Sequence, residues 1–134
     1  MTSPIPTIVN LDFARLELFE DYLISTIHEG VVFNLEHLEK FYQIFDSHYC
    51  NKPFGYISNR KFDYTVDPTC YLMEYQYPKL VGISILCHSE STFNTAQFEK
   101  TFYKRPFEVF YKIENCKKWI YGHISTFEKE KAGL

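Results

Sequence analysis

Glycine is scarce in this chain of 134 residues: five are spread along it. No Gly-rich phosphate cradle of the dinucleotide or P-loop kind can therefore be assembled. No G-x-S-x-G elbow occurs, and no cysteine sits in an activating motif, so nothing marks a nucleophilic active site and no enzyme is expected. The four cysteines, Cys50, Cys70, Cys87 and Cys116, form no C-x-x-C pair, which removes the usual zinc-ribbon and dithiol signatures. The opening MTSPIPTIVN lacks a charged lead followed by a long apolar run, so no secretory signal is read there. A reduced, cytoplasmic protein with its cysteines packed as small hydrophobes is the expectation. No apolar window reaches membrane-spanning length. No Lys/Arg stripe accompanies the pI of 5.9, so a nucleic-acid partner is not expected. Cations are rare in residues 1–49, where Arg15 and Lys40 face eight acids for a net −6, while residues 50–134 carry a net +3. Such a dipole can steer a partner or favour head-to-tail contacts.

Aromatic residues are plentiful: 13 Phe, 11 Tyr and one Trp make up 19% of the chain. Most of the Phe fall at core-periodic positions, which points to an aromatic-rich core; a concave aromatic pocket is the sharper reading. The length suits one domain with a core that needs neither metals nor cross-links.

Periodicity then orders the elements. Thr7–Phe13, Arg15–Phe19 and Tyr22–His28 read as three strands forming an antiparallel meander, with Leu16 and Leu18 alternating against Arg15 and Glu17. Asn34 is a helix cap, and Leu35, Leu38, Phe41, Phe45 and Tyr49 recur at steps of three and four, giving an amphipathic helix from Leu35 to about His48. Phe54–Ser58 is a short apolar strand. Asp67-Pro68 opens a helix to about Gln76, which Pro78 stops. The unbroken apolar run Leu80–Cys87 is a central strand covered on both faces. Asn94 and Gln97 resemble a capping box for the next helix, with Phe98 and Phe102 at i,i+4. Phe107–Phe110 is a last strand, and Ile113, Cys116, Ile120 and Ile124 mark a final helix, with 128–134 expected to fray and 1–6 a flexible lead. Strand–helix alternation in the second half implies parallel pairing with right-handed crossovers. The expected fold is a single α/β domain over 1–134, a mixed sheet of about five to six strands with helices mainly on one face.

This order of elements resembles the STAS/SpoIIAA-like family, the anti-sigma-factor antagonist architecture of bacteria, and in particular small SpoIIAA-like proteins of Bacteroidota. The stretches that carry the resemblance are KPFGYISNR at Lys52–Arg60, YTVDP at Tyr64–Pro68 and KRPFEVFYKIENCKKWI at Lys104–Ile120. The last places Val109-Phe110 at a strand end and Trp119-Ile120 in the helix behind it. The resemblance implies the fold and a non-catalytic regulatory or protein-interaction role. Two departures matter. The phosphorylatable Ser of the antagonists' Asp-Ser-Ser/Thr-Gly type motif has no counterpart after Phe54–Ser58, where Asn59–Asp67 stands instead. Tyr111-Lys112 also replaces the capping Asp of the last helix. Phosphorylation switching is therefore not carried over.

The candidate site is the loop 59–67 with the helix 68–76. Arg60 offers a planar fork of donors for a phosphate or carboxylate beside free backbone N–H groups at the helix start; the plainer alternative pairs it with Asp63 or Asp67. Tyr64, Tyr71 and Tyr75 would supply apolar or stacking contacts, Thr65 a modifiable hydroxyl and Asp67 the helix cap. Two partners fit: a protein docking on this surface, or a small hydrophobic or lipid ligand in an aromatic cleft, since SpoIIAA-like folds are akin to lipid-exchange domains. The first requires an exposed convex aromatic patch, the second a concave pocket. Homodimerisation through the edge of the N-terminal meander is a further expectation. His48, Cys50, Cys87 and His88 have ligand chemistry but not the spacing of a zinc site, so neither metal nor cofactor is expected. His28, His37 and His123 read as surface or packing residues.

Overall fold

The computed structural model describes residues 5–70 and 77–133. Six strands form one mixed sheet: β1 (Thr7–Asn10), β2 (Ala14–Leu18), β3 (Tyr22–Ile27), β5 (Phe54–Asn59), β7 (Leu80–Leu86) and β8 (Phe107–Phe110), lying side by side in that order. β1, β2 and β3 are the antiparallel meander, and β3, β5, β7 and β8 pair in parallel. The mixed α/β domain read from the alternation is the observed one. Two short strands not foreseen in the sequence, β4 (Val32–Phe33) and β6 (Thr65–Val66), pair in parallel apart from the main sheet.

The three described helices are α1 (Leu35–Tyr49), α2 (Glu90–Lys100) and α3 (Ile113–Ala132). Because the parallel strands follow one another in chain order, right-handed crossovers put the intervening helices on one face. α1 and α2 bury Phe41, Phe45 and Ala96 there against Leu16, Leu23, Phe54 and Ile85. α3 follows the last strand and covers the opposite face, setting Cys116, Ile120 and Ile124 on Ile24, Ile57 and Val81.

α1 starts as the sequence implies, with a histidine closing the cap. Asn34 Oδ1 accepts from the His37 backbone N–H and the Asn34 N–H donates to His37 Nδ1, both at 3.1 Å. It ends where Cys50 turns left-handed, at φ 49°. One expectation is corrected. α2 begins four residues earlier than Asn94, capped by Ser89, whose hydroxyl accepts from the Thr92 N–H at 3.1 Å. Its buried side carries Ala96 and Glu99, while Phe98 and Phe102 form an edge-on pair that is largely exposed. α3 runs on through the stretch expected to fray, to Ala132. Its start has no side-chain cap, as Lys112 at the cap position implies. Of the expected helix 68–76, Pro68–Cys70 form a single 3-10 turn and the remainder lies outside the described residues.

The α3 face is close-packed through two glycines. A Cβ on Gly55 would come within 2.8 Å of Ile120 Cδ1 and closer still to Cγ2, and one on Gly82 would lie 3.0 Å from the Trp119 ring. Between Phe54/Leu80 and Gly55/Gly82 the register slips by one residue, so Val81 is extra in β7. This bulge puts both Val81 and Gly82 under α3, where a regular strand would send one to each face.

Candidate functional site

The opposite face is less tightly filled. Along β5 the period of two sends Phe54, Tyr56 and Ser58 toward α1 and α2. With Phe33, Leu38, Phe41, Val66 and Phe107 among others, Tyr56 and Ser58 line a cavity of about 80 Å³. Counting all the space out to solvent at its mouth, the volume is about 650 Å³. The wall is mostly apolar and aromatic; Ser58, Arg60, Tyr64 and Glu99 form a polar cluster in it, and Tyr42, Tyr56 and Tyr103 also line it.

Arg60 follows β5, but its side chain turns back over the sheet instead of projecting from the loop. Its guanidinium makes a two-pronged pair with Glu99 of α2, Nη1 to Oε2 at 2.8 Å and Nη2 to Oε1 at 3.0 Å. Nε donates to Ser58 Oγ at 2.8 Å. The Tyr64 ring covers it, 4.9 Å from the guanidinium carbon to the ring centroid, and the Tyr64 hydroxyl lies 3.2 Å from Ser58 Oγ. The two charged side chains are only 9% and 7% exposed. Burial disfavours the charge on Arg60, but Tyr64 and the hydrogen bonds and charge of Glu99 outweigh it and hold the guanidinium's pKa above its ordinary value. Burial also raises the Tyr64 and Tyr56 hydroxyls, so both rings stay neutral donors. Tyr56 shares a 2.5 Å hydrogen bond with Ser25.

The Arg60 fork is engaged by Glu99 rather than by Asp63 or Asp67. Tyr64 faces the cavity as a stacking residue would, but its stacking partner is Arg60. Thr65 lies exposed on β6. Asp67 caps the turn after it, accepting at Oδ1 from the Thr69 backbone N–H at 3.0 Å and hydroxyl at 2.8 Å. Those hydrogen bonds lower its pKa. Backbone bonds from Thr65 N–H to Val31 O and from Asp67 N–H to Phe33 O tie this segment to the entry of α1. Tyr71 and Tyr75 lie outside the described residues. The structure therefore gathers Arg60 and Tyr64 and leaves Thr65 and Asp67 on the outer side. Sequence reasoning missed Glu99 and Ser58. The second was legible from strand alternation; the first had one faint signal, an acid three residues after Ala96 on the buried side of α2.

The four residues with ligand chemistry do not converge. His48 Nε2 lies 3.2 Å from the Phe19 carbonyl and His88 Nε2 2.7 Å from Asn59 Oδ1, while Cys87 is buried and Cys50 exposed. No group of three or more His, Cys, Asp or Glu among the described residues could hold a metal ion, and no helix among them is long and apolar enough to cross a membrane.

No protein-family model matches the chain. No curated protein matches it either. Among solved structures it is similar to an uncharacterized protein of the DUF3478 family with a SpoIIAA-like fold from Shewanella loihica PV-4, with a TM-score of 0.56 and 15% identity over 90% of this chain and 98% of that one. At that identity the likeness establishes the SpoIIAA-like fold.

Proposed function

We propose that this domain is a binding module without chemistry of its own, whose cavity between α1, α2 and the sheet takes a small, largely apolar molecule. The observation that carries this reading is the wall itself: apolar and aromatic, with one convergent polar cluster built around a buried ion pair. Such a pair is a poor device for stability, since hydrophobic side chains of similar volume often serve a core as well or better. An apolar pocket with a few convergent polar groups is the usual form of a small-molecule site. The size favours a small occupant over a lipid chain: the enclosed part is about 80 Å³, against the ~150 Å³ of an apolar cavity that admits benzene, so a single ring would fill it and reach into the open mouth. Larger ligands would extend into the mouth.

Native mass spectrometry of protein purified from its own cells, before and after denaturation, tests this together with toluene titration followed by amide NMR. A released small mass, or shifts confined to Ser58, Tyr64 and Val66, is expected. A bare chain whose cavity amides ignore toluene would refute the reading.

A protein-interaction role through the outer side of the loop 59–67 is the second reading. It is favoured by Lys61, Asp63 and Thr65, which are exposed yet ordered by the β4–β6 pairing. Kinship with the STAS/SpoIIAA-like proteins of Bacteroidota and residence in the cytoplasm belong to the same proposal, as does pairing of two copies along the edge strand β1. Light scattering tests the last.

A further inference from the structure

We propose that the cavity selects an uncharged ligand bearing a hydrogen-bond acceptor, such as a carbonyl or amide oxygen, and that Glu99 sets this specificity. The inference rests on the cavity reading and adds the chemistry of the occupant. Its first ground is charge. Arg60 is the one cation and Glu99 the one acid among the described residues lining the cavity, and they neutralise each other through two short hydrogen bonds. An anionic head brought to Arg60 would share the guanidinium with the Glu99 carboxylate and leave one negative charge uncompensated. A cationic head brought to Glu99 would face Arg60 in the same way. Burying an uncompensated charge is costly, so both are disfavoured against a neutral group.

The second ground is the donor count. A guanidinium has five N–H groups, and among the described residues three of those on Arg60 are used, two on Glu99 and one on Ser58. Ser58 and Tyr64 share one hydrogen bond between their hydroxyls. Whichever donates, one hydroxyl hydrogen of that pair is left over. The cluster is therefore neutral in charge but rich in unused donors. Its complement is a neutral acceptor, with an apolar body to meet Phe33, Leu38 and Phe41. Glu99 acts through Arg60 here, as a positioning and charge-balancing residue.

The test uses four ring compounds of similar size, titrated separately and read by amide shifts at Ser58, Arg60 and Tyr64: benzamide, benzoate, benzylammonium and toluene. Benzamide is expected to bind at least about tenfold tighter than either ion and more tightly than toluene. In the Glu99→Gln variant, whose cavity keeps the positive charge of Arg60, benzoate is expected to overtake benzamide. Benzoate or benzylammonium binding tightest in the unaltered protein would overturn the inference, as would an unchanged order in a folded Glu99→Gln variant. Should that variant not fold, the order of the four compounds on the unaltered protein decides alone. If none of the four, toluene included, shifts the cavity amides, the cavity reading fails and takes this one with it. Toluene binding with benzamide no better than the ions sinks the inference alone.

Discussion

The two faces of the sheet solve the same burial problem in opposite ways. Under α3 small residues meet large ones: Gly55 receives Ile120 and Gly82 receives Trp119. Under α1 and α2 large rings meet large rings. Phe41 sits 5.6 Å from Phe13 and 5.0 Å from Phe33, and Tyr49 stacks on Phe54 at 4.2 Å. Rings of this size do not tile without gaps, and here the remaining space carries an ion pair and several hydroxyls. The comparison teaches where to look for function in a fold that has no motif. One face holds the molecule together, and the other accepts a cavity and a costly polar cluster.

The sharpest way to break that comparison is to remove half of the ion pair. Glu99→Ala leaves the buried Arg60 charge unpaired and is expected to destabilise the protein by about 3–5 kcal/mol, whereas replacing both residues by Met and Leu should recover most of that loss. Urea denaturation of the Glu99→Ala variant and the double one checks it, and a double variant as unstable as the single one would contradict it. Next in size is Gly55→Ala on the tight face. The added Cβ collides with Ile120, and overpacking of this kind costs about 1–3 kcal/mol; an unchanged urea midpoint would mean that the face has slack. Val66→Leu adds a methylene on the cavity side, where there is room, and is expected to change stability by less than about 0.5 kcal/mol. Equal penalties for these two substitutions would erase the contrast between the faces.

The cysteines sharpen it further, with the smallest effect. Burial pushes the thiols of Cys70, on the cavity side, and Cys116, under α3, up to about 11. A thiol pKa raised in the folded state adds stability that is full below the ordinary value of 9.0 and is lost as pH rises through the folded one. Stability is therefore expected to decline between about pH 9 and 11, which a pH series of thermal melts would show. Near neutral pH a thiol-alkylating reagent should modify exposed Cys50 first, then Cys70, with Cys116 slowest. Cys116 reacting before Cys70 would reverse the assignment of the looser face.

Strands were the legible part of the sequence, for a physical reason. β7 is buried at every position, so its apolar run is unbroken, and β2 alternates because only one of its faces is covered. α1 shows itself through steps of three and four. α2 hides because its first turn, Glu90-Ser91-Thr92, is polar and solvated, and because its inward residues are Ala96 and Glu99 rather than the large Phe98 and Phe102. A reading by hydrophobicity follows the wrong side of that helix and so loses Glu99. Arg60 was legible as a residue of interest. Its partner was not, because 39 residues separate the two and only the packing of α2 beside β8, with Arg60 turned back over the sheet, brings them together.

The order of the sheet also bears on how the chain acquires its shape during synthesis. β1, β2 and β3 are neighbours in sequence and in space, and each later strand of the main sheet docks on the one before it. The sheet can thus grow in one direction as the chain leaves the ribosome, with α1 and α2 laid on one side along the way. Among the described elements, the other side has no cover until α3 emerges. Throughout that interval Ile24, Ile57 and Val81 form an open apolar surface, the hazard that nascent chains present to one another. A chain interrupted before Ile113 would carry a nearly complete sheet with one naked face, and its fate would be aggregation or capture by a chaperone.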